Sequence, residues 1–296
     1  MKVRIGISLG PDARPERLSD SVSLLESAGV DSLWLSEVVY GSLADPFTGM
    51  AWALARTAKL KVGTGVAVLP GRHPVLVAKQ LTSLAGLAPG RVLPVFGLRP
   101  ARREEAAAFP VPGPRAAVFD ESMELLRLLL TQDNVSFAGQ FFSVESATVG
   151  PRPVRPLDVW LGGSAPEGLR RVGRLADGWL GSFLTPAEAG SAREQIQTAA
   201  AAAGREIEDD HYGISLALAD GEVPAELATA ISRRRPDMDP ARLIPVSWPQ
   251  LQDLIGQYVA VGLSKFVVRP AAVHDGDGAL EEFVAEFAKH MMPLQT

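Results

Sequence analysis

Residues 32–37 read Ser-Leu-Trp-Leu-Ser-Glu, and residues 45–47 read Asp-Pro-Phe. A short apolar run that ends in polar residues, followed by an N-cap residue with proline behind it, marks a strand leading into a helix. The same kind of junction recurs at Gly162-Gly-Ser164 and around Ala176-Asp-Gly-Trp179. Strands covered on both faces read as continuous apolar runs of this kind, which is the habit of parallel sheets. In such proteins ligands bind where the strands give way to loops.

Working outward, Val3–Leu9 is another apolar strand, followed by helical spacing at Leu18, Val22, Leu25 and Ala28 with Gly29 as its C-terminal stop. Lys61–Ala67 and Arg91–Val95 supply a third and a fourth strand, separated by a helix from Pro74 to about Leu84. A long helix follows over Ala116–Leu130, with Phe119, Met123, Leu126 and Leu130 on one face. The alternation breaks over 131–156, where Val135–Val144 reads as a hairpin about Gly139 and prolines punctuate an extended stretch. It then resumes, with strands at Leu157–Leu161, Gly178–Gly181, Tyr212–Ala219 and Lys265–Arg269 and helices at 166–175, 186–203, 249–261 and 279–290. Residues 220–247 are an irregular insertion with a short helix near Ala225–Ile231. About eight strand–helix units without a linker predict one (β/α)8 TIM barrel over residues 1–296, with insertions after strand four and before the last βα unit. A doubly wound sheet shares the local pattern and is the competing reading.

Composition narrows the function. The chain has 296 residues, no cysteine and a formal charge of −5, which removes thiolate chemistry and gives no general attraction to nucleic acid or an anionic membrane. No apolar run approaches the ~20 residues of a membrane span. The basic N-terminus leads straight into a strand, so a cytoplasmic protein acting on a small-molecule substrate is the expectation. Of 29 basic residues only six are lysine, a bias that fits a GC-rich genome.

Several motifs invite a chemical reading. Gly162-Gly163-Ser164 opens a helix through Pro166, and Ser164 with Glu167 has capping-box spacing. Two glycines before a helix N-terminus let backbone amides approach a phosphate, although an ordinary capped turn has the same pattern. Thr185-Pro-Ala-Glu188 and Ser247-Trp-Pro-Gln250 are further capping boxes, read as helix starts. Gly6-Ile-Ser8-Leu-Gly10 matches a nucleophile-elbow pattern, but Ser8 lies within a strand and not on a sharp turn into a helix. The histidines, at 73, 211, 274 and 290, lack metal-ligand spacing or an acidic cluster, so no metal site is expected. Glu37 ends the second strand and would point into the barrel mouth as an acid–base group, or else pair with an arginine. His73 follows the third strand at the rim, where a histidine capping the backbone is the plainer reading. Arg99, Arg102 and Arg103, followed by Glu104 and Glu105, read as a solvated charge run, with anion binding as the alternative.

In order and content these pieces resemble the luciferase-like monooxygenase family. The resemblance runs through Ser32–Glu37, Asp45–Phe47, Leu60–Val66, Arg72-His-Pro74, Ala78-Lys-Gln80, Pro89-Gly-Arg91, Gly162–Ser164 and Arg174–Trp179. Leu243-Ile-Pro-Val and Lys265–Pro270 look like an actinobacterial subgroup that uses the deazaflavin coenzyme F420. The resemblance implies a flavin-type ring at the C-terminal ends of the strands, with a non-proline cis peptide between Gly65 and Val66 beside it. It also implies ring contacts from Gly65, Val66 and Ala67, and a phosphate site at Gly162, Gly163 and Ser164 with Gly178 and Trp179 lining the same end. Two departures stand out. Val38 replaces a histidine found after the strand-two acid in some deazaflavin dehydrogenases, and Val95-Phe-Gly97-Leu-Arg-Pro100 lacks their proton-transferring glutamate. Reduction of an activated double bond, or of a substrate whose proton comes from solvent or Tyr40, therefore fits better than alcohol or sugar oxidation. F420 is the expected cofactor and FMN the alternative, as in a monooxygenase; a cofactor carrier without turnover is a third reading. Relatives are often dimers, which leaves a homodimer open.

Overall fold

The computed structural model describes residues 2–272 and 278–296; His274 lies outside them. Strand β1 (Arg4–Ser8) leads to helix α1 (Pro15–Ser27), β2 (Ser32–Leu35) to α2 (Pro46–Arg56), and the split pair β3 (Lys61–Thr64) and β4 (Ala67–Val68) to α3 (Pro74–Leu87). A second split pair, β5 (Val92–Leu93) and β6 (Val95–Gly97), precedes α4 (Arg115–Thr131). The hairpin β7 (Val135–Ala138) and β8 (Ser143–Ala147) follows. Then come β9 (Trp160–Gly162), α5 (Pro166–Leu175), β10 (Gly178–Ser182), α6 (Pro186–Ala202) and β11 (Tyr212–Leu218). The chain finishes with α7 (Ala225–Arg234), α8 (Trp248–Ala260), β12 (Lys265–Pro270) and α9 (Ala279–Met291).

Joining the two split pairs leaves eight parallel strands, and pairing closes them into a ring. β1 pairs with β2 and β12, β3 with β2 and β5, β4 with β6, and β6 with β9. From β9 the ladder continues through β10 and β11 to β12. The pairing of β12 with β1 decides between the two folds, because a doubly wound sheet keeps two open edges. The architecture is a (β/α)8 barrel.

Alternation along the strands separates two cores. On β1, Ile5 and Ile7 join the layer that packs Leu18, Val22 and Leu25 of α1, all fully or nearly fully buried. Gly6 faces the other way, because a Cβ there would lie 2.6 Å from the Trp34 indole nitrogen. Trp34 fills the barrel with Val95, Leu180 and Val267, and Gly63 on the far side leaves room for the same ring, where a Cβ would come within 2.9 Å.

Helix starts follow the sequence signals. The Asp45 side chain accepts from the Thr48 amide, Thr185 and Glu188 form a reciprocal capping box, and Ser247 caps α8. Gly29, at φ +73°, ends α1 as expected. The charge run after strand four is not solvated throughout. Glu105 is fully buried, and its Oε1 accepts from the Tyr40 amide at 3.0 Å. The segment after β11 carries its own small core, in which Ile231, Leu243 and Ile244 pack on Ala217 and Ala219. No helix among the described residues is long and apolar enough to cross a membrane.

Candidate active site

A cavity of about 830 Å3 opens at the C-terminal ends of the strands. Its floor is the break in the third strand, where a cis peptide joins Gly65 and Val66. The end of β2 fastens this break from one side. Ser36 Oγ donates to the Gly65 carbonyl at 3.1 Å, and the Gly65 amide donates to the Leu35 carbonyl at 2.8 Å. From the other side Val66 fits between two glycines. A Cβ at Gly97 would sit 2.7 Å from Val66 Cγ2, and one at Gly162 would sit 2.9 Å from Cγ1. Val66 is thereby wedged into a shelf that lines the cavity together with Gly65, Gly97 and Gly162.

Glu37 stands at the edge of this shelf, buried to 5% exposure. Its Oε2 accepts from the Val68 amide at 2.6 Å and its Oε1 pairs with Arg72. Burial pushes its carboxyl above the usual range; the Val68 N–H and Arg72 pull it down, and Asp45 adds a smaller upward push. Both readings of Glu37 from sequence meet here, since it lines the mouth and is also committed to an arginine.

Across the floor, β9 ends at Gly162 and the chain turns through Gly163 at φ +111°, with open space where its Cβ would be. The expected capping box does not form. The N-cap of α5 is Ala165, no side chain caps it, and Glu167 pairs with Arg170 instead. The first-turn amides therefore keep their hydrogen-bonding capacity, and Gly163, Ser164, Ala165 and Gly168 line the cavity. Trp179 acts from beneath, its indole N–H donating to the Gly163 carbonyl at 2.7 Å.

The other expected site residues stand apart from this cavity. Trp179 is fully buried, and Gly178 begins β10 at the opposite end of the barrel, where a Cβ would come within 2.3 Å of the Trp160 ring. The strand runs on to Ser182, so Leu180, Gly181 and Ser182 face the cavity. Ala67 is buried in the layer between barrel and helices. His73 caps α3, its Nδ1 accepting from the Val75 amide at 3.3 Å, and its ring meets Phe142 edge-on. Tyr40 is half exposed; Arg102 holds its carbonyl at 2.7 Å and Glu105 its amide. Ser8 lies in β1, buried and lining the cavity, without a strand-to-helix turn at its position.

The sequence reading passed over the roof. Phe183, held at φ +56°, Leu243 and Ile244 line the cavity, and Arg269 near the end of β12 reaches it too. A lone arginine ending an apolar final strand was the available signal. At the other end of the barrel, His211 does have acidic neighbours, which corrects the expectation of none. Ligand atoms of His211, Glu208 and Asp210 lie within 4.8 Å of one another. The His211 Nδ1 meets the Asp177 carbonyl at 2.7 Å.

The description of the luciferase-like monooxygenases matches residues 1–244. The chain belongs to the luciferase-like monooxygenase family. Similar curated proteins include an F420-dependent glucose-6-phosphate dehydrogenase of Kineococcus radiotolerans, 29% identical over 175 residues, 56% of this chain and 52% of the relative. The chain spans about half the length of the curated relatives it matches. Two solved luciferase-like folds superpose over the whole chain. An F420-dependent secondary alcohol dehydrogenase with an F420–acetone adduct has TM-score 0.80 at 17% identity, covering 100% of both chains. The oxygenating constituent of 3,6-diketocamphane monooxygenase from Pseudomonas putida, in complex with FMN, has TM-score 0.78 at 17% identity, covering 100% of this chain and 99% of that one. Both likenesses concern the fold.

Proposed function

We propose that this family member is an oxidoreductase that binds reduced coenzyme F420 and delivers a hydride to a small organic substrate. The observation that carries the reading is the pairing, within one cavity, of an apolar shelf at Gly65–Val66 with an uncapped helix start at Gly163–Ala165. A ring with a phosphate-bearing side arm needs these two features together. Exposed amides at a positive helix end favour the phosphate, and a flat apolar floor favours the ring.

When bound, the reduced deazaflavin supplies the hydride. The chain's own residues position and enclose it. Val66, wedged by Gly97 and Gly162, fixes the height of the floor. Ser36 holds the Gly65 carbonyl, and Glu37 with Arg72 holds the start of β4 through the Val68 amide. Because Glu37 is engaged by Arg72 and Glu167 by Arg170, the proton that completes reduction comes from solvent entering the cavity, not from Tyr40, which lies outside it. The apolar roof restricts that water. The reading takes the chain as one cytoplasmic domain from an actinobacterial source, with a homodimer as its assembly.

Titrating the apo-protein with oxidised F420, and separately with FMN, tests the proposal through the fluorescence of Trp34 and Trp179. Micromolar or tighter binding of F420, at least tenfold tighter than FMN, is expected. Preference for FMN would replace the reading with an oxygen-dependent monooxygenase, and binding of neither would remove it.

A further inference from the structure

The cavity contains more positive charge than the cofactor cradle uses. Arg269 lies near the end of β12, in register with Ala217 of β11. It is partly buried and lines the cavity. Its hydrogen bond is a long one, from Nη1 to the Pro270 carbonyl at 3.3 Å. Burial alone pulls its guanidinium below the ordinary arginine value, with no charge partner restoring it. Of the other arginines that line the cavity, Arg99, beyond β6, also has no carboxylate among the described residues, and the rest are engaged. Arg171 pairs with Asp120, Arg235 with Glu188 and Asp237, and Arg234 covers the Phe183 ring at 5.1 Å. Among the described residues Arg269 has no carboxylate.

A partly desolvated guanidinium without a counter-charge is costly unless an anion completes it. Its planar fork matches a carboxylate or a phosphate in a two-point contact. Position separates it from the α5 cradle. β12 stands three strands from β9 in the ring, roughly 14 Å at about 4.8 Å per strand, and opposite β6, whose Gly97 helps to form the shelf. Phe183, Leu243 and Ile244 line the same cavity as Arg269.

We propose that Arg269 is the anion receptor of the substrate chamber, so that the substrate is an organic acid or phosphate ester with an apolar body packed against Phe183, Leu243 and Ile244. This rests on the cofactor reading above only in placing the cofactor on the shelf. The acidic group binds at the β12 wall, which turns the apolar body toward the shelf.

Matched probes test it: cinnamate and phenyl phosphate against the neutral cinnamamide, titrated calorimetrically into F420-loaded protein and into the apo-protein. At least tenfold tighter binding of one of the anions than of the amide is expected. Arg269→Met should abolish the difference, and Arg269→Lys should keep part of it. F420 affinity should change less than twofold in either variant, and thermal unfolding would confirm that both remain folded. No preference for either anion, or a preference that survives in Arg269→Met, overturns the proposal. So does a tenfold loss of F420 affinity in the variants, which would assign the arginine to the cofactor's own acidic tail. If wild-type protein takes up no F420, the cofactor reading fails separately, and the apo-protein titration still decides the role of Arg269.

Discussion

The guanidinium of Arg72 closes over the carboxylate of Glu37 while resting between two aromatic faces, 5.3 Å from the Phe47 centroid and 5.7 Å from that of Phe109. One ion pair thus ties the end of the second strand to the loop between β4 and α3, with the Val68 amide as the third member. Glu37→Gln keeps the amide contact and removes the charge that Arg72 answers. Because burial outweighs Arg72 and the Val68 amide at this carboxyl, the variant is expected to be at least as stable as wild type at pH 7 in urea unfolding. The carboxyl is raised in the folded state, chiefly by burial, so its ionisation opposes folding above that raised value and the penalty fades on acidification. Wild type should therefore gain stability relative to the variant as the pH falls from 7 toward the usual carboxylate range. A wild type that loses stability relative to the variant on acidification would mean that Arg72 outweighs burial.

The Val66 wedge predicts a compensating pair. Gly97→Ala or Gly162→Ala drives a methyl into Val66 and should cost about 1–3 kcal/mol, as overpacking does. Each should also weaken F420 binding. Adding Val66→Ala should recover most of the stability in both backgrounds. Additive losses in the double variants would show that the three residues do not share one contact.

Gly163 offers a cleaner separation of binding from folding. At φ +111° any side chain is strained, yet no atom stands within 4 Å of the Cβ position. Gly163→Val should lower F420 affinity at least tenfold while the barrel still unfolds cooperatively. Unchanged affinity would remove the phosphate assignment.

At the opposite end, Asp31 binds Lys265 at 2.8 Å and Lys61 at 2.7 Å. Burial raises the Asp31 carboxyl, but the two ammonium groups outweigh it and hold it down to about 2. Its contribution is complete above the unfolded value of about 4 and is lost as pH falls from there through about 2. Asp31→Asn should cost about 3–5 kcal/mol at neutral pH by stranding buried Lys265, and should flatten the acid limb of the stability curve in that window. Asp31→Asn with Lys265→Met should regain much of the loss. Chemical denaturation across pH measures both effects.

The barrel was readable because parallel strands covered on both sides show as apolar runs, and because Asp45, Thr185 and Ser247 announce their helices. Residues on both sides of Gly65–Val66 and of Pro94 keep the strand pattern, so the pattern alone showed neither break; the cis peptide at Gly65–Val66 was expected from the family resemblance and is present. Ser164 misled for a different reason. Ser247-Trp-Pro has the same spacing and does cap its helix, so spacing alone does not say which way a hydroxyl turns. Trp179 was placed near the right group but on the wrong side of it, because strand length decides which residues reach the mouth and β10 extends to Ser182. Glu105 looked solvated among charged neighbours, and only the folded contact with the Tyr40 amide reveals its burial. Arg269 carries no local motif; its interest arises from what three-dimensional packing leaves unpaired around it.

The small core of Ile231, Leu243 and Ile244 has a further consequence. The segment over the cavity packs largely on itself and on the ends of β11, and Arg235 anchors it to Glu188 and to the Phe183 carbonyl at 2.8 Å. Such a segment can be exchanged in evolution, or by an engineer, without rewriting the floor on which the chemistry stands. New substrate preferences would then arise by grafting a different ceiling onto an inherited reactor.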